Sequence, residues 1–165
     1  MTSQAQTHRI IGTLRAEDGK GVVRMEDRFA TDAEDLWSAL TDPNRLTRWL
    51  GEIEGDLRLG GTFHARFADG FEGDGRIEVC EPPQRVLARM ESGTIEVILN
   101  ADDGESVLVW EERGMPLEHL ADYGAGIQIH VEELAAYIAG RDRCEIRARY
   151  LELVPAYREL AANVG

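Results

Sequence analysis

Alternation of apolar and polar residues runs through the first two thirds of the chain and predicts a series of short strands. Phe63, Ala65 and Phe67, for example, alternate with two polar residues, so the two sets of side chains face opposite sides of a sheet. Short strands separated by turns rich in glycine and aspartate are typical of an antiparallel meander. We expect strands over Arg9 to Ala16, Gly21 to Phe29, Glu54 to Leu59, Thr62 to Phe67, Phe71 to Cys80, Arg85 to Glu91, Thr94 to Ala101 and Ser106 to Arg113.

Two short helices are predicted between the second and third strands. Thr31 and Glu34 have the spacing of a capping box, in which both side chains satisfy free backbone amides at a helix start. Asp42 followed by Pro43 starts a second helix, because proline at the first helical position loses no hydrogen bond, and Gly51 is expected to end it. The apolar stripes of the two helices are Leu36, Trp37 and Leu40, and Leu46, Trp49 and Leu50.

A change of period marks a long helix nearer the C-terminus. From Pro116 to Ala139, apolar residues recur at steps of three and four. Gly124 and Gly126 weaken this helix by about 1 kcal/mol each relative to alanine, and we interpret both as leaving open space beside the helix or a bend in it. Glu145 to Asn163 carry a further helical stripe, which Pro155 is expected to kink or to divide into two helices.

Four short motifs accompany this order of elements: Ala30-Thr-Asp-Ala-Glu-Asp-Leu-Trp-Ser-Ala-Leu-Thr-Asp-Pro43, Arg48-Trp-Leu-Gly51, Leu59-Gly-Gly-Thr-Phe63 and Glu81-Pro-Pro-Gln-Arg-Val86. Together they resemble the START-like (SRPBCC) superfamily. Within it, the chain is most similar to the branch homologous to the C-terminal domain of the Hsp-ninety ATPase activator. The resemblance covers roughly residues 21 to 139 and implies an α+β helix-grip fold, in which a curved antiparallel sheet surrounds the long helix.

The chain length of 165 residues predicts a single START-like domain over residues 1–165. Its core is expected at about 21–139. Residues 1–20 form a tail and an added hairpin strand, and residues 140–165 a helical extension. Both additions could cover a sheet edge or form a contact in a homodimer or with a protein partner. A chain of this size buries about two thirds of its unfolded surface, so it needs neither disulfide nor metal to fold.

The net charge and the hydropathy of the chain limit which partners it can bind and in which compartment it is expected. The chain has 31 acidic and 18 basic residues, a net charge of −13, and such a surface repels phosphate backbones, so we predict no nucleic-acid binding. No apolar run approaches the roughly 18 residues of a membrane span, and the N-terminus lacks a signal-peptide core. We therefore expect a cytoplasmic protein without membrane insertion, in which Cys80 and Cys144 are reduced.

Three kinds of chemical site lack their signatures. No two of the four histidines lie four residues apart, and no serine lies in a Gly-x-Ser-x-Gly motif. The pair Gly60-Gly61 lies between strands and does not open a helix, as a phosphate loop would. His119 and Asp122 could share one helical face, but exposed polar residues give the same pattern. We predict no metal, no cofactor and no assignable catalytic residue.

Aromatic residues on the predicted elements are candidates to line a space between the sheet and the long helix. Core packing is the simpler explanation for each taken singly, and a pocket for a flat or lipophilic ligand is the alternative. Polar residues near them, such as Arg66, Glu111 and His130, either face solvent or form a buried pair that orients a ligand. The residues predicted to bind a ligand are Trp49, Phe63, His64, Phe67, Trp110, Glu112, Tyr123 and Ile127.

Three functions fit these features. The favoured one is binding of a hydrophobic or aromatic small molecule in the cavity between sheet and helix, for sequestration, transport or sensing. The second is an enzyme that resembles the aromatase/cyclases of the START-like superfamily, where the pocket folds a polyketide. The third is a protein-interaction domain like a co-chaperone. The enzyme needs an inward-facing acid–base pair, for which the candidates are His64, Arg66, Glu112 and His130.

Overall fold

The computed structural model describes residues 9–68 and 70–164, so the first eight residues of the predicted tail, Asp69 and Gly165 lie outside it. The described residues contain eight strands: β1 (Gly12–Glu17), β2 (Lys20–Phe29), β3 (Gly51–Gly55), β4 (Thr62–Phe67), β5 (Glu72–Glu81), β6 (Arg85–Met90), β7 (Gly93–Asp102) and β8 (Glu105–Met115). They form one antiparallel sheet in the order β1-β2-β8-β7-β6-β5-β4-β3. Register shifts occur within β2 and β5, and irregularities of this kind increase the local bend of a sheet.

Four α-helices of the described residues accompany the sheet: α1 (Ala33–Thr41), α2 (Pro43–Leu46), α3 (Leu120–Ala139) and α4 (Ile146–Ala162). The long helix α3 begins after a 3₁₀ turn over Leu117–His119 and packs against β1, β2 and α4. The helices α1 and α2 pack against each other and against strands β3, β7 and β8. This arrangement is the helix-grip α+β fold, so the prediction of fold class is confirmed.

The capping residues in the sequence predicted the positions of α1 and α2 with small errors at the helix ends. The N-cap of α1 is Asp32, whose carboxylate accepts a hydrogen bond of 2.8 Å from the Asp35 amide. The predicted cap by Thr31 was wrong, because two good capping residues are adjacent and Thr31 donates to the Asp35 carboxylate instead. Asp42 caps α2 as predicted, but this helix ends at Leu46, and Gly51 already belongs to β3.

The strand predicted over Glu54 to Leu59 was displaced. In the structure β3 covers Gly51–Gly55 and pairs with β4 along its whole length. The chain turns at Asp56, whose carboxylate accepts hydrogen bonds from the backbone and side chain of Arg58. An aspartate that bonds to the backbone two residues later favours a turn over a strand, and this signal was missed.

The C-terminal extension is part of the core. Helix α4 runs without interruption through Pro155, which excludes the second helix considered at that position. It packs on α3 and β1 and buries Leu153, Val154 and Tyr157. Within residues 9–68 and 70–164, no helix combines the length and the apolar character that a membrane crossing requires.

The prediction that Gly124 leaves open space beside the long helix was wrong. A Cβ at this position would lie 2.6 Å from Cδ1 of Tyr157, so the glycine makes room for a tyrosine of α4 and not for a cavity. The Tyr157 hydroxyl donates to Gln128, which in turn donates to the backbone oxygen of Arg9. The missing side chain therefore allows α3 and α4 to approach closely.

Candidate functional site

Two adjoining cavities lie between the inner face of the sheet and the helices. The α3 cavity has a volume of ≈ 210 Å³, and the α1–α2 cavity, on the side of the two short helices, a volume of ≈ 100 Å³. Together they lie at the lower end of the range for small-molecule pockets, about 300 Å³. The residues common to both are Leu50, Phe67, Met90, Ile95 and Trp110.

One face of α3 forms the wall of the larger cavity. Tyr123, Gly126, Ile127 and His130 follow at steps of three, one and three, which places them on the same side of a helix. Gly126 lines the cavity, in contrast to Gly124, so the space expected beside this helix exists at one of the two glycines. The sheet and the connecting segments supply the other wall, which includes Leu50, Phe67, Phe71, Met90, Ser92, Ile95, Trp110 and Glu112.

The smaller cavity is almost wholly apolar. Leu40 and Leu46 of the short helices face Ile53 and Phe63 of the sheet across it. Its floor consists of cross-strand neighbours, because Val86 lies opposite Val97, and Ala88 opposite Ile95, in the β6–β7 register. Pairs of this kind place apolar side chains side by side on one face of a sheet.

Aromatic rings meet where the two cavities join. Trp49 and Trp110 make an edge-to-face contact with ring centroids 6.2 Å apart, and Trp110 stacks on His130 at 6.4 Å. Phe67 lies 5.8 Å from His130 and stacks on Phe71 at 5.7 Å. Such contacts are favourable beyond the surface they bury, so these rings form a firm wall.

The carboxylates that line the cavities lie at the α3 cavity, whereas the α1–α2 cavity has Thr41 as a polar lining residue. The indole nitrogen of Trp110 donates a hydrogen bond of 2.9 Å to Glu112, and the hydroxyl of Tyr150 donates one of 2.7 Å to Asp122. Glu112 and Asp122 both line the α3 cavity, as does His130. Neither lysine nor arginine occurs among the described residues that line the two cavities.

Seven of the eight residues predicted to bind a ligand line the cavities. Tyr123, Glu112 and Ile127 border the α3 cavity, Trp49 and Phe63 border the α1–α2 cavity, and Phe67 and Trp110 border both. The sequence argument missed Leu50, Met90 and Ile95 as cavity residues, although their apolar character was visible. For Met90 and Ile95, only the β6–β7 register, which the sequence does not contain explicitly, shows that they face the same space, and Leu50 joins them from the turn before β3.

His64 is the exception and its assignment is corrected. It lies on β4 between Phe63 and Ala65, which are buried, so its own side chain faces the outside of the sheet. Its ring contacts Asp74 at 2.7 Å and Glu72 at 2.6 Å, and these hydrogen bonds, Asp74 foremost, raise the pKa of His64. The imidazole therefore belongs to an exposed ion-pair cluster.

Arg66 shares this outer face, so the candidate pair of Arg66 with an acidic residue inside the pocket is also corrected. Its guanidinium lies 3.3 Å from Glu52 and 3.4 Å from Glu72, and its side chain is 61% exposed. Since His64 and Arg66 are two residues apart on one strand, the placement of either determines that of the other.

Glu111 and Glu112 lie on opposite faces of β8. Glu111 pairs on the outside with Arg15 at 3.0 Å and with Arg113. Burial opposes the ionisation of Glu111, but the hydrogen bonds and charges of these two arginines outweigh it and lower the pKa of its carboxyl. Of the two glutamates, the cavity contains only Glu112.

No group of histidine, cysteine, aspartate and glutamate in residues 9–68 and 70–164 is arranged to hold a metal ion. Cys80 and Cys144 are free thiols. Burial, followed by the hydrogen bond with Glu133, raises the pKa of Cys144 to about 12, so this thiol is a poor nucleophile at neutral pH.

Sequence comparison agrees with this architecture. Residues 30–139, more than half of the chain, match the model of the family described as Activator of Hsp90 ATPase homolog 1-like protein. The chain belongs to this family. The family is a branch of the START-like (SRPBCC) superfamily, so the resemblance seen in the sequence is confirmed. The matched segment excludes all of β1, β2 and α4.

Two solved structures with the same fold cover most of the chain. The crystal structure of CalU16 from Micromonospora echinospora has 27% identity and a TM-score of 0.76, covering 91% of this chain and 95% of that chain. EF2215 from Enterococcus faecalis, a conserved protein of unknown function, has 20% identity and a TM-score of 0.78, covering 93% and 92%. The likeness to EF2215 concerns the fold alone.

DynU16, a protein of the dynemicin biosynthetic locus, has 25% identity and a TM-score of 0.68. The match covers 76% of the chain described here and 49% of DynU16, so the chain spans about half the length of DynU16. No curated protein matches this chain significantly.

Proposed function

We propose that this protein binds a hydrophobic or aromatic small molecule in the two adjoining cavities, for sequestration, transport or sensing. The observation that carries the proposal is the aromatic wall of the α3 cavity, where Phe67, Trp110 and Tyr123 border open space together with a few polar groups. An apolar concave surface with a small number of convergent polar groups is the usual composition of a small-molecule site.

The energetics of the lining favour a ligand with flat apolar surface. Each square ångström of apolar surface removed from water contributes about 25 cal/mol, so the ligand gains mainly through contact area. Met90 lines both cavities, and methionine adapts its shape to irregular partners. The site therefore combines rigid rings with one adaptable side chain.

The comparison with DynU16 supports a role with small molecules. That protein belongs to a biosynthetic locus, and its similarity to this chain covers 76% of the residues. A place in a biosynthetic locus agrees with handling of a small molecule better than with stimulation of an ATPase. The support extends to the class of function and not to the identity of the ligand.

A polyketide cyclase-like enzyme is the second candidate. Glu112 on β8 and His130 on α3 both line the α3 cavity, and both contact Trp110. A carboxylate and an imidazole beside one space could move protons on a bound substrate. An enzyme would differ from a binding protein in one observable, because it would release the polyketide chain chemically changed. Mass spectrometry of the protein incubated with the polyketide detects this change.

Ligand binding is tested by thermal shift with a panel of polyketides, flavonoids and fatty acids, together with native mass spectrometry of the purified protein. We expect at least one aromatic compound to raise the melting temperature. Gly126→Leu, which places a side chain in the α3 cavity, should abolish the shift while circular dichroism stays unchanged. His64→Ala is the matched control, since His64 lies on the outer face and its removal should leave the shift intact. If no compound raises the wild-type melting temperature, the binding proposal fails and the interaction-domain hypothesis gains.

A further inference from the structure

A small side chain forms part of the floor of the α1–α2 cavity. In the strand registers, Ala88 of β6 lies opposite Ile77 of β5 on one side and opposite Ile95 of β7 on the other. All three residues line this cavity. Because cross-strand neighbours pack side by side, an alanine between two isoleucines leaves a recess in the apolar face of the sheet.

The side-chain donors around this cavity already donate within the protein. Among the described lining residues, only Thr41, Trp49 and Trp110 carry a side-chain N–H or O–H group. The Thr41 hydroxyl donates to the backbone oxygen of Trp37 at 2.8 Å, and the Trp49 indole donates to that of Ala39 at 2.9 Å. The indole of Trp110 donates to the carboxylate described above. A polar group of a ligand that entered this cavity would lose its water without gaining a side-chain donor.

The α3 cavity differs in size and in lining. Its volume of ≈ 210 Å³ is about twice the ≈ 100 Å³ of the α1–α2 cavity. The rings of Phe67, Trp110 and Tyr123 border it together with polar residues such as Ser92 and Asp122. A flat ring system with polar substituents suits such a lining. Since the two cavities share part of their wall, one molecule can occupy both.

We infer that the ligand of this protein has two parts: a ring system with polar substituents that occupies the α3 cavity, and a short alkyl chain that occupies the α1–α2 cavity above Ala88. This inference rests on the proposed function and specifies its ligand class. Ala88 is then the residue that provides the room for the chain.

The volume of the α1–α2 cavity limits the length of the chain. One water molecule takes up about 30 Å³ in the liquid and a methylene group is of similar size, so ≈ 100 Å³ holds roughly three carbon atoms. Each methylene group that is buried improves the affinity about four-fold. Carbon atoms beyond the third or fourth gain little, because the cavity has no room for them.

The test compares four probes on one scaffold: 2-naphthol, 6-propyl-2-naphthol, 6-hexyl-2-naphthol and 6-(2-hydroxyethyl)-2-naphthol. In isothermal titration calorimetry at neutral pH, the propyl compound should bind at least about ten-fold more tightly than 2-naphthol, and the hexyl compound within about three-fold of the propyl compound. The hydroxyethyl compound has as many non-hydrogen atoms as the propyl compound and should bind at least about ten-fold more weakly than it. This series needs no variant and stays informative if a substitution impairs folding.

Ala88→Leu locates the chain. The variant adds three carbon atoms to the floor of the α1–α2 cavity, so the advantage of the propyl compound over 2-naphthol should fall to within about two-fold. Ala101→Leu is the matched control, with the same substitution at an exposed residue of β7 that lines neither cavity, and it should retain the advantage. Circular dichroism of both variants shows whether the sheet is intact.

The outcomes separate the inference from the proposed function. If the propyl and hydroxyethyl compounds bind equally, or if the hexyl chain gains as much per carbon atom as the propyl chain, the alkyl chain does not occupy the α1–α2 cavity. The inference is then overturned while the binding function stands. An undiminished advantage of the propyl compound in Ala88→Leu overturns it as well.

The absence of binding is equally decisive. If no naphthol binds although a panel compound raises the melting temperature, the ligand class is wrong and the binding function stands. If neither the naphthols nor any panel compound binds, the proposed function fails together with the inference.

Discussion

Glu133 shows how one buried carboxylate can connect distant parts of the chain. Its side chain is 2% exposed and accepts hydrogen bonds from the guanidinium of Arg143 and from the amide of Cys144, the latter at 3.0 Å. Arg143 also donates to the backbone oxygen of Trp49, at 3.3 Å. Glu133 therefore joins α3 to the loop before α4 and, through Arg143, to the segment that carries Trp49 into the cavity wall.

This arrangement predicts an acid-dependent loss of stability. Burial opposes the ionisation of Glu133, but the hydrogen bonds from Arg143 and Cys144 outweigh it, so the pKa lies below its ordinary value of 4.5. A lowered carboxyl pKa contributes stability that is complete above the ordinary pKa and is lost as the pH falls through the lowered one. Glu133→Gln should cost about 1–3 kcal/mol in urea unfolding at neutral pH.

The pH series checks the sign of this prediction. The gap between wild type and Glu133→Gln should narrow as the pH is lowered from neutral to about 3, since the wild-type carboxyl becomes protonated. Glu118→Gln, at an exposed position, should stay within about 0.5 kcal/mol of wild type throughout. A gap that is independent of pH would show that shape, and not charge, is what Glu133 supplies.

At the scale of elements, the contact between α3 and α4 depends on a glycine. Gly124→Ala would gain about 1 kcal/mol of helix propensity, yet its new methyl group would lie 2.6 Å from the ring of Tyr157. Tyr157 is fully buried and cannot move without disturbing its hydrogen bond to Gln128. We expect a net destabilisation of about 1–3 kcal/mol, measured by urea unfolding.

Gly126→Ala is the comparison for this variant. The same substitution two residues further along α3 adds a methyl group toward the cavity, so the gain in propensity should leave stability equal or higher. Equal stability of the two variants would contradict the packing role assigned to Gly124.

The elements that the sequence predicted well have strong and mutually consistent signals. β4 was predicted over Thr62 to Phe67 and has these bounds, because strict alternation and flanking glycines agree. The capping residue of α1 was missed because Thr31 and Asp32 are both competent, and only packing decides between them. Helix α4 tolerates Pro155 because that residue is exposed while its neighbours Leu153, Val154 and Tyr157 are buried in the core.

At the scale of the molecule, the segment that matches the family does not contain the whole core. The strand β2 lies between β1 and β8 and contributes Val22, Val23 and Met25, all buried, while α4 contributes Tyr157. A fragment of residues 30–139 would lack these side chains and would expose one side of β8 and of α3. Sheet edges and apolar faces left open in this way favour aggregation.

We therefore predict that the fragment 30–139 does not fold cooperatively, whereas the full chain does. Chemical denaturation followed by circular dichroism should show a sigmoidal transition for the full chain and a shallow one for the fragment. A fragment of residues 9–164 serves as the control, because it contains every described element. A cooperative transition in the fragment 30–139 would show that the additional strands and helix are accessory.

The sequence predicted part of the cavity lining, but it did not predict which face of the sheet each polar side chain occupies. The aromatic residues predicted much of the cavity wall, because large rings are usually buried between elements that pack together. The choice between faces failed for His64, since an alternating strand has two faces and the sequence does not say which one a polar residue occupies. The correct side follows only from the pairing of β3, β4 and β5 and from the place of α3 above the sheet.

The edge-to-face contact of Trp49 and Trp110 has an optical consequence. Both indoles border the cavities with centroids 6.2 Å apart, whereas Trp37, the third tryptophan, is only partly buried on α1 and lines neither cavity. Two close indoles couple their electronic transitions, and their fluorescence emission depends on which molecule fills the cavity beside them. The chain thus contains a built-in fluorophore pair at the junction of its cavities, through which occupancy can be read without a dye, a tag or a labelled compound.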